Sequence, residues 1–539
     1  MRSFAIILAL FAFCTAESDS IYIGVFKPFP ERKGFEGMVY KIGNKVHIKT
    51  RRVTVLRLCP LKLYGHYDSA QIKSAEVVMR SYPFWGDAKI ETDEDGMIRS
   101  IVVQDLWTTK IAAEFRYVAR KPVWSIAFEE ENLLGYGVYF TAGYSHNIER
   151  DWWHVGSRVY GISKSKIDLS ALYKYHGGRW HAEIAMSRRS FFEGSPFYVG
   201  VVAESLDVPI YRSGNATPND TVFRFITQQS VELNTVTCGK NLFLGMAASH
   251  FLVRRNARGW ANKKTGQFLL LMPRLSFVKR KFATIYNVDI SGRPEDITTG
   301  IFADLAFGAQ LDIKDYENTN NFAPTYNARV VFSNFYSKAL YFGASINAYR
   351  KFDIKGFSLS TRTFAPTNTN SKFRVGMGID YMWASAPEDL MFIADGSTGF
   401  RGYEAFYRVS EGEKKSFLRV TFELRSYPNI EILTIRPTLA LFADFGGVDE
   451  EIGKLPSDYL LDIGIGLRLG STRSTRKTVN RFDLSYSPKL GTISFTLDAG
   501  QIVSFFVPMD WRKVTDLSLI HISEPTRPLY ISYAVFCLK

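Results

Sequence analysis

The chain has 539 residues, a formal net charge of +14 at pH 7, a pI of about 9.3 and a mean hydropathy of −0.08. This length accommodates two or more domains. The basic residues are scattered rather than gathered into one run, which argues against nucleic acid as a partner. Only Cys59 and Cys238 lie away from the two chain ends, which disfavours a disulfide framework and a cysteine zinc site.

The first sixteen residues have the pattern of a secretory signal peptide. Arg2 supplies a short basic start, the segment 4–13 is apolar, and Cys14-Thr15-Ala16 are small residues suited to cleavage. Residues 1–16 are therefore predicted to be a signal peptide, and residues 17–44 an N-terminal linker segment.

Residues 45–118 are predicted to form a small α+β domain of a strand, a helix and a hairpin. Asp68 is an N-cap candidate, and Gln71, three residues later, completes a variant of the capping box before apolar residues at helical spacing. Asp95-Gly96 then separates two alternating segments, as a tight hairpin turn does.

Residues 119–506 contain repeated segments in which apolar and polar side chains alternate. Leu418, Val420, Phe422 and Leu424 alternate with Arg419, Thr421, Glu423 and Arg425, and the segments 167–187, 301–314 and 434–445 behave similarly. A period of two predicts strands with one apolar and one polar face. Segments of about ten residues suit tilted membrane strands, and charged inner faces suit a wet lumen. The fold class predicted is mainly β: a transmembrane antiparallel β-barrel of about sixteen strands, preceded by the small domain.

A loop motif and two acidic strands carry a family resemblance. Arg401-Gly402-Tyr403 precedes strands that contain Glu423, in Phe422-Glu423-Leu424-Arg425, and Asp444, in Phe442-Ala443-Asp444-Phe445-Gly446. These motifs resemble the BamA/TamA-type outer-membrane-protein assembly superfamily, here as a surface-antigen barrel with a single POTRA module at 45–118. The resemblance implies an inward loop around 395–410, with Arg401 at its tip paired with the wall residues Glu423 and Asp444. A buried guanidinium favours such planar acceptors.

Two further motifs are similar to those of the same superfamily. Asn132, Gly135 and Gly137 resemble the Asn-Leu-x-Gly-x-Gly entrance to the first barrel strand. The segment 492–506 is predicted to be the last strand, in which Asp498, Gly500, Val503 and Phe505 match the C-terminal barrel signal.

Residues 507–539 are interpreted as a non-native tail, with the status of 507–516 left open. From Leu517 onward the sequence resembles translated sequencing-adapter DNA. His521 and Cys537 are therefore left out of every functional interpretation.

No catalytic, cofactor-binding or metal-binding constellation is predicted, and the chain is not expected to be an enzyme. His146, His154, His176 and His181 lack the spacing of a zinc protease, and no nucleophile elbow or phosphate-binding loop is present.

The function that the resemblance implies is insertion of β-barrel proteins into the outer membrane of a diderm bacterium, or protein translocation, without an energy cofactor. The POTRA module would lie in the periplasm. Expected partners are unfolded outer-membrane proteins or an exported polypeptide, outer-membrane lipids, and periplasmic chaperones or lipoproteins, but no nucleic acid. The alternatives are a dedicated exporter of the two-partner-secretion type and a passive porin.

Overall fold

The computed structural model describes most of the chain after residue 20. The described residues are 21–118, 121–146, 151–162, 167–176, 179–188, 197–211, 221–237, 241–257, 264–314, 322–336, 340–351, 354–368, 371–385, 416–449, 451, 459–475, 479–489, 491–499, 501, 504–507 and 536–537. The predicted signal peptide, residues 1–16, lies outside them.

The N-terminal module, defined here as residues 21–105, is a three-stranded sheet with helices. Its elements are β1 (Tyr22–Phe26), α1 (Gly34–Val46), α2 (Arg52–Leu58), α3 (Ser69–Arg80), β2 (Trp85–Thr92) and β3 (Ile98–Asp105). The sheet order is β1-β3-β2, with β1 parallel and β2 antiparallel to β3. The apolar core contains side chains from β1–β3, α2 and α3, whereas α1 contributes none of its buried residues.

In the module, sequence signals that involve only neighbouring residues predict the structure correctly. The capping box of α3 is confirmed, because Asp68 accepts a hydrogen bond from the Gln71 amide and the Gln71 side chain accepts one from the Asp68 amide. The hairpin is also confirmed, with Gly96 at a positive φ of 79° in its turn. The strand expected after Lys45 is wrong: Arg52–Leu58 is helical, because Val55 and Leu58 share one helix face directed into the core. The parallel strand is Tyr22–Phe26, within the segment 17–44.

The rest of the chain forms a large antiparallel sheet in which consecutive strands pair. Its strands are β4 (Thr109–Val118), β5 (Lys121–Glu130), β6 (Val138–His146), β7 (Asp151–Ile162), β8 (Ile167–His176), β9 (Arg179–Arg188), β10 (Phe197–Tyr211), β11 (Thr221–Thr237), β12 (Leu242–Ala257), β13 (Lys264–Tyr286), β14 (Pro294–Lys314), β15 (Phe322–Tyr336), β16 (Leu340–Lys351), β17 (Ile354–Ala365), β18 (Phe373–Ala384), β19 (Ser416–Ser426), β20 (Ile435–Asp449), β21 (Leu460–Ser471), β22 (Asn480–Ser487) and β23 (Thr492–Ala499). A two-residue β24 (Phe536–Cys537) pairs with β23.

Pairing runs without interruption through twenty strands, from β4 to β23, among the described residues. The expectation of about sixteen strands is not confirmed. One reason is the hairpin β4–β5, whose first strand, Thr109–Val118, lies in the segment predicted as module and pairs with the large sheet.

The large sheet has apolar side chains on its exposed face and polar side chains on its buried face. On β19 and β20, Phe422 and Leu441 are 49% and 54% exposed, whereas Glu423 and Asp444 are 2% and 0% exposed. The same holds on β14, where Leu305 is 50% and Asp304 5% exposed. The two faces predicted from the alternation are thereby confirmed. This arrangement is the reverse of a water-soluble sheet, in which the apolar face is the buried one.

Aromatic side chains group at the end of the sheet that is remote from the module. Trp124 on β5 and Trp153 on β7 are exposed, and both rings contact Tyr144 of β6, with centroid distances of 5.2 and 4.6 Å. Tyr175 of β8 is exposed beside Trp153 in the strand register. The apolar face therefore ends in an aromatic row on these strands.

None of the helices in the described part of the chain is both long and apolar enough to cross a membrane.

The capping box of α3 gives a local stability test. Asp68→Ala removes the acceptor for the Gln71 amide, so the helix should open more easily by about 1 kcal/mol. Hydrogen–deuterium exchange of peptides covering 69–80, measured on the whole protein, reports this opening. Lys73→Ala, an exposed change in the same helix that keeps the cap, is the control; equal exchange in the two variants would show that the cap contributes nothing.

Candidate functional site

The N-terminal module is docked on turns at one end of the large sheet. Arg80, the last residue of α3, donates two hydrogen bonds to the Asp296 carboxylate, at 2.9 and 2.8 Å. Burial lowers the pKa of Arg80, but the bonds and charge of Asp296 outweigh this effect and leave that pKa above its ordinary value. Two hydrogen bonds from a planar guanidinium to one carboxylate fix the relative orientation of the two groups as well as their distance. This ion pair joins the module to β14.

Backbone pairing makes a second connection. The Trp107 amide donates to the Arg473 carbonyl at 2.7 Å, and the Trp107 carbonyl accepts from the Thr475 amide at 3.0 Å. Trp107 follows the last strand of the module, and Arg473 and Thr475 lie in the turn between β21 and β22. The chain is therefore hydrogen-bonded to the turn between β21 and β22 at the point where it leaves the module.

The Asn-Leu-x-Gly-x-Gly motif makes a third connection. It forms the turn between β5 and β6, not the approach to the first strand of the sheet. The Asn132 side chain donates to Thr50 Oγ1 at 2.7 Å and accepts from the Gly137 amide at 2.6 Å. Gly135, at a φ of +78°, leaves no room for a Cβ, which would lie 2.4 Å from the Lys49 carbonyl oxygen. The glycines thus allow the turn to approach the backbone of the module closely.

Behind the docked module, buried charges on β19, β21 and β22 form a network. Glu423 accepts from Arg425 Nε at 2.8 Å and lies 3.6 Å from Arg468 Nη2. Arg468 also binds Asp483, which lies 3.0 Å from Arg481 Nε. All five side chains are at most 2% exposed. Desolvated charges of this kind are tolerated only when they are mutually paired.

Arg425 connects this network to a distant turn. Its Nη1 donates to Asp289 Oδ1 and to the Val288 carbonyl, both at 2.8 Å. These acceptors lie between β13 and β14, so the contact crosses the interior rather than following the ladder. Arg374 of β18 reaches the same turn and donates to the carbonyls of Asn287 and Pro366.

The segment after β23 packs on Arg425. The strand ends at Ala499, shorter than the strand to Phe506 that the sequence predicts, and Phe505 is buried with its ring 3.7 Å from the Arg425 guanidinium. The Phe505 amide and Ser504 Oγ both donate to the Asp289 carboxylate. Gly376 makes room for this ring, because a Cβ there would lie 2.1 Å from Phe505 Cε1.

Asp444 stands on the same interior face but on a different strand. It is fully buried on β20, opposite Thr421 of β19 and opposite Asp462 of β21, which is also fully buried. Carboxylates directly opposite each other on neighbouring strands repel.

Two smaller ion-pair groups extend the charged interior. Asp380 of β18 accepts from Arg362 at 2.7 Å and from Arg419 at 2.6 Å. Arg274 of β13 holds Asp304 of β14 through two bonds at 2.6 and 2.8 Å. These guanidinium–carboxylate pairs line the buried face over β13 to β22.

Several predicted site residues fall outside the described part of the chain. Arg401, Gly402 and Tyr403 are among them, as are Gly500 and Val503. The segment 395–410 connects β18 to β19, the strand that carries Glu423. Asp498 lies in β23.

The sequence interpretation overlooked the residues that partner Glu423. Arg425 was visible as a polar-face residue of its strand, and the same alternation in β21 and β22 would have revealed Arg468 and Asp483. Asp289 has no such signal, because it lies in a turn 136 residues away from Arg425.

Within the described residues, no group of three or more His, Cys, Asp or Glu side chains could hold a metal ion. Cys59 is a free, buried cysteine in the core of the module.

No protein-family model matches the chain, and no curated protein sequence matches it. Among solved structures, the chain is similar to the crystal structure of BamA from Haemophilus ducreyi lacking POTRA domains 1–3. The match covers 87% of this chain and 80% of that chain, at 13% sequence identity and a TM-score of 0.35.

The Glu423 network can be tested by removing one charge. Glu423→Gln leaves Arg425 and Arg468 without their shared carboxylate, which should lower the free energy of unfolding by about 3 to 5 kcal/mol. Denaturant unfolding of the protein in detergent micelles measures the change. Glu94→Gln, at an exposed turn of the module, is the matched control and should be neutral; equal stability of both variants would contradict a paired, desolvated Glu423.

Proposed function

We propose that this chain is an outer-membrane β-barrel of the BamA/TamA type that inserts other β-barrel proteins into the membrane. The observation that carries the proposal is the inverted sheet: apolar side chains cover its exposed face and paired charges its buried face. Water does not stabilise such a surface, whereas lipid does. The aromatic row of Trp124, Tyr144 and Trp153 matches an interfacial girdle.

The large sheet closes on itself in this proposal. An open strand edge within lipid would leave backbone groups without hydrogen bonds, so a membrane sheet must be a closed barrel. A cyclic strand order, which returns from β23 through β24 to β4, supports closure. Since β24 lies in the tail interpreted as non-native, we infer that in the native wall β23 meets β4 directly.

The inferred seam joins two short strands. β23 has 8 residues and β4 has 10, whereas β13 and β14, which pair together, have 23 and 21. Fewer ladder hydrogen bonds can hold the seam than hold β13 to β14, so the seam parts at a lower cost than that pair. A client strand can then bond to the exposed edge, and no nucleotide or metal is needed.

The module supplies the client-binding element on the periplasmic side. Its sheet has edges at β1 and β2, and an extended segment can add to such an edge through backbone hydrogen bonds. Tyr22 and Phe26, the first and last residues of β1, are exposed. The partners are therefore unfolded outer-membrane proteins.

The segment 395–410 acts as the inward loop in this proposal. Arg401 would bring its guanidinium to the buried acidic side chains that face the interior from β19 and β20. Asp444 is one of these side chains and is fully buried on β20. Glu423 already binds Arg425, so Arg401 would extend an existing network.

An insertion assay tests the function. The protein is reconstituted in liposomes, an unfolded outer-membrane barrel protein is added, and its folding is followed by heat-modifiable gel mobility. Glu423→Ala and Asp444→Ala should slow insertion, because loss of about 1.4 kcal/mol of loop docking lowers the docked population roughly tenfold. Glu94→Ala should insert clients at the unaltered rate. Wild-type protein that does not accelerate folding over empty liposomes would refute the proposal.

A conductance measurement separates the insertion factor from a porin. Because ion pairs such as Arg425–Asp289 cross the interior, planar-bilayer recordings should show little steady current. A large, steady and weakly selective conductance would instead identify the chain as a porin.

A further inference from the structure

The helix α1 has an apolar stripe that the fold of the module does not use. Phe35, Met38, Ile42 and Val46 are 70%, 54%, 59% and 66% exposed. At 100° per residue these four positions fall on one face of the helix. None of them belongs to the module core, so folding of the module does not explain the stripe.

The opposite face of α1 fixes its position at the rim of the large sheet. Tyr40 is buried and donates to the Leu433 carbonyl, while Glu36 accepts from the Leu433 amide at 3.0 Å. Leu433 lies in the turn between β19 and β20. Asn44 is bonded to the backbone of Phe29, whose ring stacks on Tyr40 at 5.3 Å. The face of α1 opposite the stripe is therefore bound to the turn and to Phe29, and the stripe itself remains exposed.

The surface beside this attachment is also apolar. Ile430 and Ile432, in the same turn as Leu433, are 53% and 65% exposed. Directly after the turn, Ile435 and Leu439 begin the exposed apolar face of β20. The helix α1 is thus attached at the point where the lipid-facing surface of the proposed barrel starts.

Most of the charges around the stripe are basic. Lys33, Lys41, Lys45 and Lys49 are exposed on or beside α1. The one acidic residue of the helix, Glu36, is already bound to Arg32 and to the Leu433 amide. An apolar stripe bordered by lysines is the pattern of a helix that lies in the surface of an anionic bilayer.

We propose that α1 is an interfacial anchor, which inserts Phe35, Met38, Ile42 and Val46 among the acyl chains of the adjoining leaflet and places its lysines on anionic phospholipid headgroups. This inference rests on the proposed membrane barrel. It adds a second lipid contact, made by the module itself. The anchor fixes the module relative to the bilayer as well as to the barrel.

The test uses full-length protein in nanodiscs with one fluorescent probe at a time. Cys14, Cys238 and Cys537 are replaced by serine, and Cys59 is retained because it is buried in the module core, where a thiol is inert. The environment-sensitive dye NBD is attached through Ile42→Cys, and phospholipids with nitroxide-labelled acyl chains serve as quenchers. Glu94→Cys, in the exposed turn between β2 and β3, is the control for the module. Ile463→Cys, on the exposed face of β21, is the control for the barrel.

Emission from position 42 should be roughly halved by the nitroxide lipids, as at position 463, whereas emission from position 94 should not change. Lys41→Gln with Lys45→Gln should reduce quenching at position 42 when the anionic lipid fraction is low, and leave position 463 unaffected.

Unquenched probe at position 42 together with a quenched probe at position 463 would overturn the anchor and leave the barrel intact. A blue-shifted but unquenched probe at position 42 would show that protein, such as a second copy, covers the stripe. Absence of quenching at both positions would refute the membrane barrel, and the anchor with it.

Discussion

The structure depends on the pairing of charges on the buried face of the large sheet. Glu423, Arg425, Arg468 and Asp483 are removed from water almost completely, and each is stabilised only by its neighbours. Burial of unpaired charges would cost several kcal/mol per ion. The alternation of each strand fixes which face these residues occupy, so the apolar residues between them must face outward. The exterior of the protein and its interior chemistry therefore follow from the same constraint.

The module is integrated with this interior rather than linked loosely to it. Arg80 binds β14, Trp107 pairs with the turn before β22, and Asn132 organises a turn against Thr50. The attachment points lie on β14 and on two turns, which are far apart along the ladder. Any separation of the module from the sheet breaks polar contacts at several turns at once, so the two parts should move together.

The sequence predicts those features whose signals are local. Alternation with a period of two identified the outward and inward faces of β14, β19 and β20, and the Asp68–Gln71 pair identified the start of α3. The sequence does not predict features that depend on residues distant along the chain. The segment 52–58 has strand-like composition, yet it is helical, with Val55 and Leu58 in the module core. Asp289 gives no periodic signal, and the twenty strands could not be counted because turn lengths do not mark which hairpins join the sheet.

The interior contacts at the module end have a geometric consequence. Arg425 and Phe505 both meet Asp289, and Arg374 binds carbonyls of the turns that follow β13 and β17. Side chains from strands far apart in the sheet thus meet at the turn between β13 and β14. If the sheet closes as proposed, a barrel braced in this way would keep its cross-section when a wall strand is pulled aside, so opening at one seam would not collapse the remainder.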